Sequence, residues 1–111
     1  MQEEHREDSP DLRNQKLHIN IVKREVDIEG EKIYLTTLEF NLLVYLTRHP
    51  NRVLTYQQIY EAVWEEPYFC QKGNIMTHIS HLRKKIETKA KGICRIENMR
   101  GVGYRMIIQN L

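Results

Sequence analysis

Between Gly73 and Glu87 the chain reads GNIMTHISHLRKKIE, a stretch rich in groups able to recognise a polyanion. Asn74 can bond adenine or a phosphate. The Thr77 methyl can touch thymine while its hydroxyl donates, and His81 can donate to an acceptor such as guanine N7. Lys84 shares that face, and Arg83 and Lys85 flank it with His78 and Ser80, all groups suited to phosphates. A second feature follows in NMRGVGYR. Arg100, at the tip of a glycine-bearing loop, can enter a narrow minor groove, whose negative potential attracts arginine. Each group has a plainer explanation. A basic helix face is usually only a solvated face, Trp64 a lid on the core, and Tyr104 a packed strand residue. It is their arrangement in one order that is specific.

Other chemistries fit less well. Cys70, His78, His81 and Cys94 could all ligate zinc, but Cys-x7-His-x2-His-x12-Cys is not a usual zinc spacing. No nucleophile–base pair or phosphate-cradling loop stands out. Neither catalytic residues, a metal nor another cofactor is expected, and the protein is not expected to be an enzyme.

These groups need a scaffold, and the pattern supplies one. Ile75, Ile79, Leu82 and Ile86 are spaced 4, 3 and 4, within roughly 40° of one another on a helix. That stripe is core, and it turns the polar groups outward. Gly92 is a plausible cap for the end of this helix. Upstream, Thr36-x-x-Glu39 and Thr55-x-x-Gln58 are capping boxes, each opening an amphipathic helix. The first carries Phe40, Leu42, Leu43 and Leu46 and stops at Pro50; the second carries Ile59, Ala62, Val63 and Trp64. Residues 17–35 alternate apolar and polar with Gly30 as punctuation, so they predict short antiparallel strands. Alternation returns in ICRIE and GYRMIIQ, which predicts a β-hairpin with Arg100 at its turn. Strands, three helices and a hairpin, with a basic last helix, outline a winged helix-turn-helix of the α+β class.

Charge supports this division. The 111 residues carry a net +2. Residues 72–111, however, hold nine basic groups against only Glu87 and Glu97, a local excess of +7. Such asymmetry suggests a polyanion-binding face. If Arg83, Lys84, Lys85, Arg100 and Arg105 each neutralised a phosphate, log K against log[salt] would slope about −4 to −5. Residues 1–15, polar and acidic with one proline, predict a linker or disordered arm, and 16–111 the folded domain. Two cysteines without CxxC spacing fit a reducing cytoplasm. No apolar run approaches the roughly 20 residues of a membrane span.

YLTTLEFNLLVYL, VLTYQQIYEAVW, HISHLRKKI and RGVGYR, in this order, resemble the OmpR/PhoB-type DNA-binding domain of bacterial response regulators. The likeness covers about residues 17–108. It implies a four-stranded N-terminal antiparallel sheet, three helices and a C-terminal hairpin wing. It implies a recognition helix over 73–87 in the major groove of double-stranded DNA, with Gly73, Asn74, Thr77, His78, Ser80, His81 and Arg83 at its contact positions. It further implies backbone contacts from Trp64, Asn98 and Tyr104, and a minor-groove contact from Arg100. A receiver domain, tandem dimers on direct repeats and an RNA polymerase contact through the 65–72 loop are implied as partners. There are departures: Gly73 stands where arginine is common, Met76 where an acidic residue is usual, and Ser80 and His81 where arginine is frequent. This leaner face keeps open an alternative, a winged-helix protein-interaction module with weakened DNA binding.

Overall fold

A computed structural model describes residues 16–109; the arm expected over residues 1–15 lies outside them. Three strands open the domain, β1 (Leu17–Asn20), β2 (Glu25–Ile28) and β3 (Glu31–Ile33), paired antiparallel in that order. Alternation places Leu17, Ile19, Val26, Ile28 and Ile33 in the core. The β2–β3 link has only Glu29 and Gly30 between paired residues, with φ of 51° and 84°. This is the left-handed tight turn that suits the twist of a hairpin. Among the described residues this sheet has three strands, one fewer than the resemblance implies. After Ile33 the chain leaves the ladder to set Thr36 as a helix cap.

Helix α1 (Thr37–Arg48) starts on the full capping box: Thr36 Oγ1 accepts from the Glu39 amide, and Glu39 Oε1 accepts from the Thr36 amide. The same device, Thr55 with Gln58, opens α2 (Tyr56–Trp64). Helix α3 (Lys72–Ile86) buries Ile75, Ile79, Leu82 and Ile86, as the spacing predicts. It ends at Ile86, a turn before Gly92. The chain then tightens, with the Ala90 amide donating to Ile86 O and the Cys94 amide to Ala90 O. Ala90 is thereby buried and the chain is brought back beneath α3. Gly92, at φ 80°, serves this second turn and does not cap the helix.

The last layer is a sheet ordered β4-β6-β5, in which β4 (Leu54–Thr55) adds to the hairpin β5 (Cys94–Met99) and β6 (Gly103–Ile108). The two-residue β4 passes so close to Gly103 that a Cβ there would lie 1.9 Å from Leu54 O. Glycine is thus required for the wing to join the helical body. Leu54, Ile96, Tyr104, Met106 and Ile108 then bury against the helices.

One ion pair crosses this interior. Lys85 Nζ on α3 lies 2.6 Å from Glu39 Oε1 on α1, whose side chain is only 4% exposed. Burial pushes the Glu39 carboxyl up, but hydrogen bonds from Lys85 and Thr36 outweigh it and hold the carboxyl below its ordinary value. The folded carboxyl binds its proton less readily than the unfolded one. Its contribution to stability is full above the ordinary carboxylate range and is lost as pH falls through the lower folded value. Glu39→Gln should therefore lower stability at neutral pH and flatten the acid limb of the stability curve, read by urea unfolding between pH 3 and 7. An unchanged acid limb would refute this role.

Candidate nucleic-acid interface

Helix α3 lies on the domain with its polar face outward. Asn74, Thr77, Ser80, His81 and Lys84 are exposed along it. Its first turn has no side-chain cap, because Gln71 turns back to accept the Phe69 and Cys70 amides. Gly73 is open to solvent, with nothing within 4 Å of where a Cβ would stand. The Asn74 amide donates to Gln71 O, and the first turn, left without a side-chain cap, keeps its partial positive charge at the same end as Lys72.

Each flank of the helix is tied down. On the α2 side, the half-buried Trp64 stacks on Tyr60 with ring centroids 5.0 Å apart and meets the edge of His78 at 5.3 Å. His78 Nδ1 lies 2.9 Å from Asn74 O. Facing a carbonyl oxygen, that nitrogen carries the proton, so Nε2 is the atom left for a partner. Trp64 and His78 thus form one aromatic shoulder beside the exposed row.

On the wing side, Arg83 donates to Ile96 O, while Glu87 Oε2 accepts from the Ile96 amide at 2.9 Å. Arg83 and Glu87 also pair with each other at 3.6 Å. Glu87 is an odd choice locally. A negative charge at a helix C-terminus opposes the helix dipole, and Arg before Glu is the weaker order for an i,i+4 pair. Tertiary structure supplies the reason. Ile96 sits on β5, the open edge of its sheet, and the two side chains take up both of its free backbone groups. This clamp fixes the wing against the helix.

The wing tip is Arg100–Val102, between the paired residues Met99 and Gly103. The Val102 amide donates to Met99 O at 2.8 Å, and Gly101 has φ 78°, as in a type II turn, which requires glycine there. Arg100 and Asn98 are exposed. The neighbouring arginines are engaged. Arg105 donates to Glu97 with Nε at 2.9 Å, and Arg95 lies 3.6 Å from the same carboxylate. The Arg105 guanidinium holds the Glu97 carboxyl below its ordinary value. Arg100 is left as the unpaired cation of the described hairpin.

Several expected phosphate contacts are drawn inward. Lys85 is committed to Glu39 and cannot give its charge to a phosphate without stranding a buried carboxylate. Tyr104 is 3% exposed, its ring edge-on to Tyr56, so it packs where an outward contact was expected. Arg83 is half-buried and shared with Ile96 and the Tyr104 ring. One outward residue lies outside the expected contact set: Lys72, which stands 5.4 Å over the Tyr56 ring. Met76, one of the departures from the family pattern, is exposed on the helix. Lys72 was visible as a charge in the helix's first turn; the positioning roles of Glu87 and Gly103 had no local signal. The zinc arrangement does not form: among the described residues no group of three or more His, Cys, Asp or Glu could hold a metal. Cys94 is buried, which pushes its thiol up to about 11, whereas Cys70 is exposed.

The family described as "Transcriptional regulatory protein, C terminal" matches residues 30–106. The chain belongs to this family. Its fold is close to that of the DNA-binding domain of CpxR from E. coli, with a TM-score of 0.79 and 30% identity over 90% of this chain and 98% of that one. It also matches the Klebsiella pneumoniae RstA DNA-binding domain solved in complex with the RstA box, with a TM-score of 0.76 and 27% identity over 86% and 95%. The Bacillus subtilis alkaline phosphatase synthesis transcriptional regulatory protein PhoP is 40% identical over 82 residues, 74% of this chain and 34% of that protein. The chain spans about two-fifths of the length of the curated relatives it matches. It is thus an OmpR/PhoB-type effector domain, with α2 and α3 as its helix-turn-helix pair and β5–β6 as its wing.

The clamp can be tested within this domain. Glu87→Ala leaves the Ile96 amide without its acceptor and should destabilise the protein by about 1–2 kcal/mol. Amide hydrogen exchange at Ile96 should accelerate more than at Ile79, in the buried centre of α3. Equal protection at both sites would show that Glu87 does not hold the wing.

Proposed function

We propose that the chain binds double-stranded DNA sequence-specifically, as the effector domain of a two-component transcriptional regulator. The observation that carries this reading is the fixed relation between the exposed row on α3 and the unpaired Arg100, set by the Arg83–Glu87–Ile96 clamp. A helix fits the major groove, and a thin arginine-tipped turn fits the adjacent minor groove. Asn74, Thr77 and His81 read base edges, and Arg100 reads groove width. Trp64, His78, Ser80, Arg83, Lys84 and Asn98 approach the backbone, joined by Lys72.

The remaining length of the relatives leaves room for a receiver domain in the whole protein. Binding as tandem dimers on direct repeats, in the cytoplasm, follows from the same resemblance. The 65–72 loop offers RNA polymerase Phe69, 77% exposed, beside Glu65 and Glu66. A protein-interaction module with weakened DNA binding is the second reading. The exposed Phe69 and the short side chains of α3 favour it, and the unpaired Arg100 weighs against it. No helix among the described residues is long and apolar enough to cross a membrane.

Salt dependence measures which cations serve the ligand. With Lys85 and Arg105 engaged internally, Lys72, Arg83, Lys84 and Arg100 remain, and log Kd should change with log[salt] with a slope of magnitude about 3 to 4. Lys84→Ala should lower that magnitude by about 1, whereas Lys85→Ala should leave it unchanged and lower Tm. A response flat in salt would overturn the DNA reading. His81→Ala should relax base preference at one position of a selected site; a uniform loss on every sequence would remove His81 from base readout.

A further inference from the structure

We propose that Met76 is a specificity-determining residue that reads a thymine C5-methyl group in the major groove. The proposal rests on the DNA-binding reading above. Met76 is 44% exposed, although the aliphatic residues of the same helix are buried. It lies about 90° around the helix from the buried stripe, so it has no place in the core.

Its neighbours make it prominent. Gly73, three residues before it, has no side chain and open space around it; Ser80, four residues after it, is short and exposed. Residues at those spacings share one patch of helix surface, so Met76 rises between two short neighbours, with Lys72 one turn before it. The same flank carries Lys72 over the Tyr56 ring and Arg83 over the Tyr104 ring. The row is therefore positive, apolar, positive. Its ends suit phosphates, and its middle does not.

The thioether is a feeble hydrogen-bonding group, so it gains little from the donors and acceptors of guanine, cytosine or adenine. The apolar feature of the major groove is the thymine methyl. An unbranched, polarisable side chain adapts well to a methyl group at the groove floor. Thr77, the next residue, presents its own methyl from the adjoining position, which favours thymine at neighbouring steps.

Uracil differs from thymine at this edge only by that methyl. The test begins with the duplex that the protein selects from a random pool. Each thymine is replaced in turn by deoxyuridine, and Kd is measured by fluorescence anisotropy. At one position the replacement should weaken wild-type binding about fourfold, the worth of one methyl group removed from water. The same replacement should cost Met76→Ala little. Met76→Glu should shift the selected base at that position from thymine towards cytosine, whose N4 amino group it can accept from. A wild-type protein indifferent to uracil at every position would overturn the assignment. So would a Met76→Ala variant that loses equally on thymine and uracil duplexes, as packing on deoxyribose would produce. Failure to select any duplex would instead overturn the DNA reading itself.

Discussion

A hairpin of two strands is marginal in water by itself, yet this domain uses one as a rigid arm. The constraint that makes it rigid is the satisfaction of Ile96. Its amide and carbonyl lie on the open edge of the β4-β6-β5 sheet, where unpaired backbone groups are both costly and prone to stray pairing. Glu87 and Arg83 on α3 take both. One arrangement thereby closes a sheet edge, neutralises a badly placed carboxylate at a helix end, and sets the wing's angle to the helix. The hairpin's other strand is held differently: β6 pairs with β4, which approaches so near that only glycine fits at position 103. Held through both strands, Arg100 keeps a fixed offset from the exposed row of α3.

The same economy governs charge. The excess of +7 in residues 72–111 invites the view that every cation awaits a polyanion. The structure divides them. Arg95 and Arg105 converge on Glu97, Lys89 reaches Glu31, and Lys85 reaches the buried Glu39. The Glu97 pairs brace the hairpin internally, and the Lys85 and Lys89 pairs tie α3 and the turn after it to α1 and β3. Lys72, Lys84, Lys91 and Arg100 are exposed, and Arg83 serves both purposes. A composition-level charge thus states an upper bound on what a ligand can meet, and the acidic partners within the fold set the remainder.

Much of this was legible in the residues themselves, because it is local. Capping boxes need side chains three residues apart, the α3 stripe needs only helical periodicity, and the Arg100 turn needs its glycine. All three formed as the spacing predicts. What was not legible depends on distant partners. Arg83 meets a backbone group 13 residues away and Lys85 a carboxylate 46 residues away, and nothing in HLRKKIE distinguishes them from the outward Lys84. The end of α3 at Ile86 is set by distant partners for the same reason. Gly92 looked like a cap, but burial of Ala90 and the pull of Glu87 on Ile96 tighten the chain earlier. A two-residue strand such as β4 has no periodicity to detect at all, and it exists only because Gly103 admits it.

The outward face of α3 is chemically spare. Gly73, Asn74, Thr77 and Ser80 are all short, and the long cations stand at its margins or its C-terminal end. A helix with short side chains can bring its backbone near the floor of a groove, where methyl groups and single hydrogen bonds decide between bases. It gives up the reach by which long arginines tolerate misalignment. Closeness of that kind demands that the second point of contact be accurately placed, since little slack remains to absorb an error in the wing. On this reasoning the clamp at Ile96 and the lean recognition face are one design: the shorter the reading side chains, the more the rigid offset of Arg100 must contribute to choosing the site.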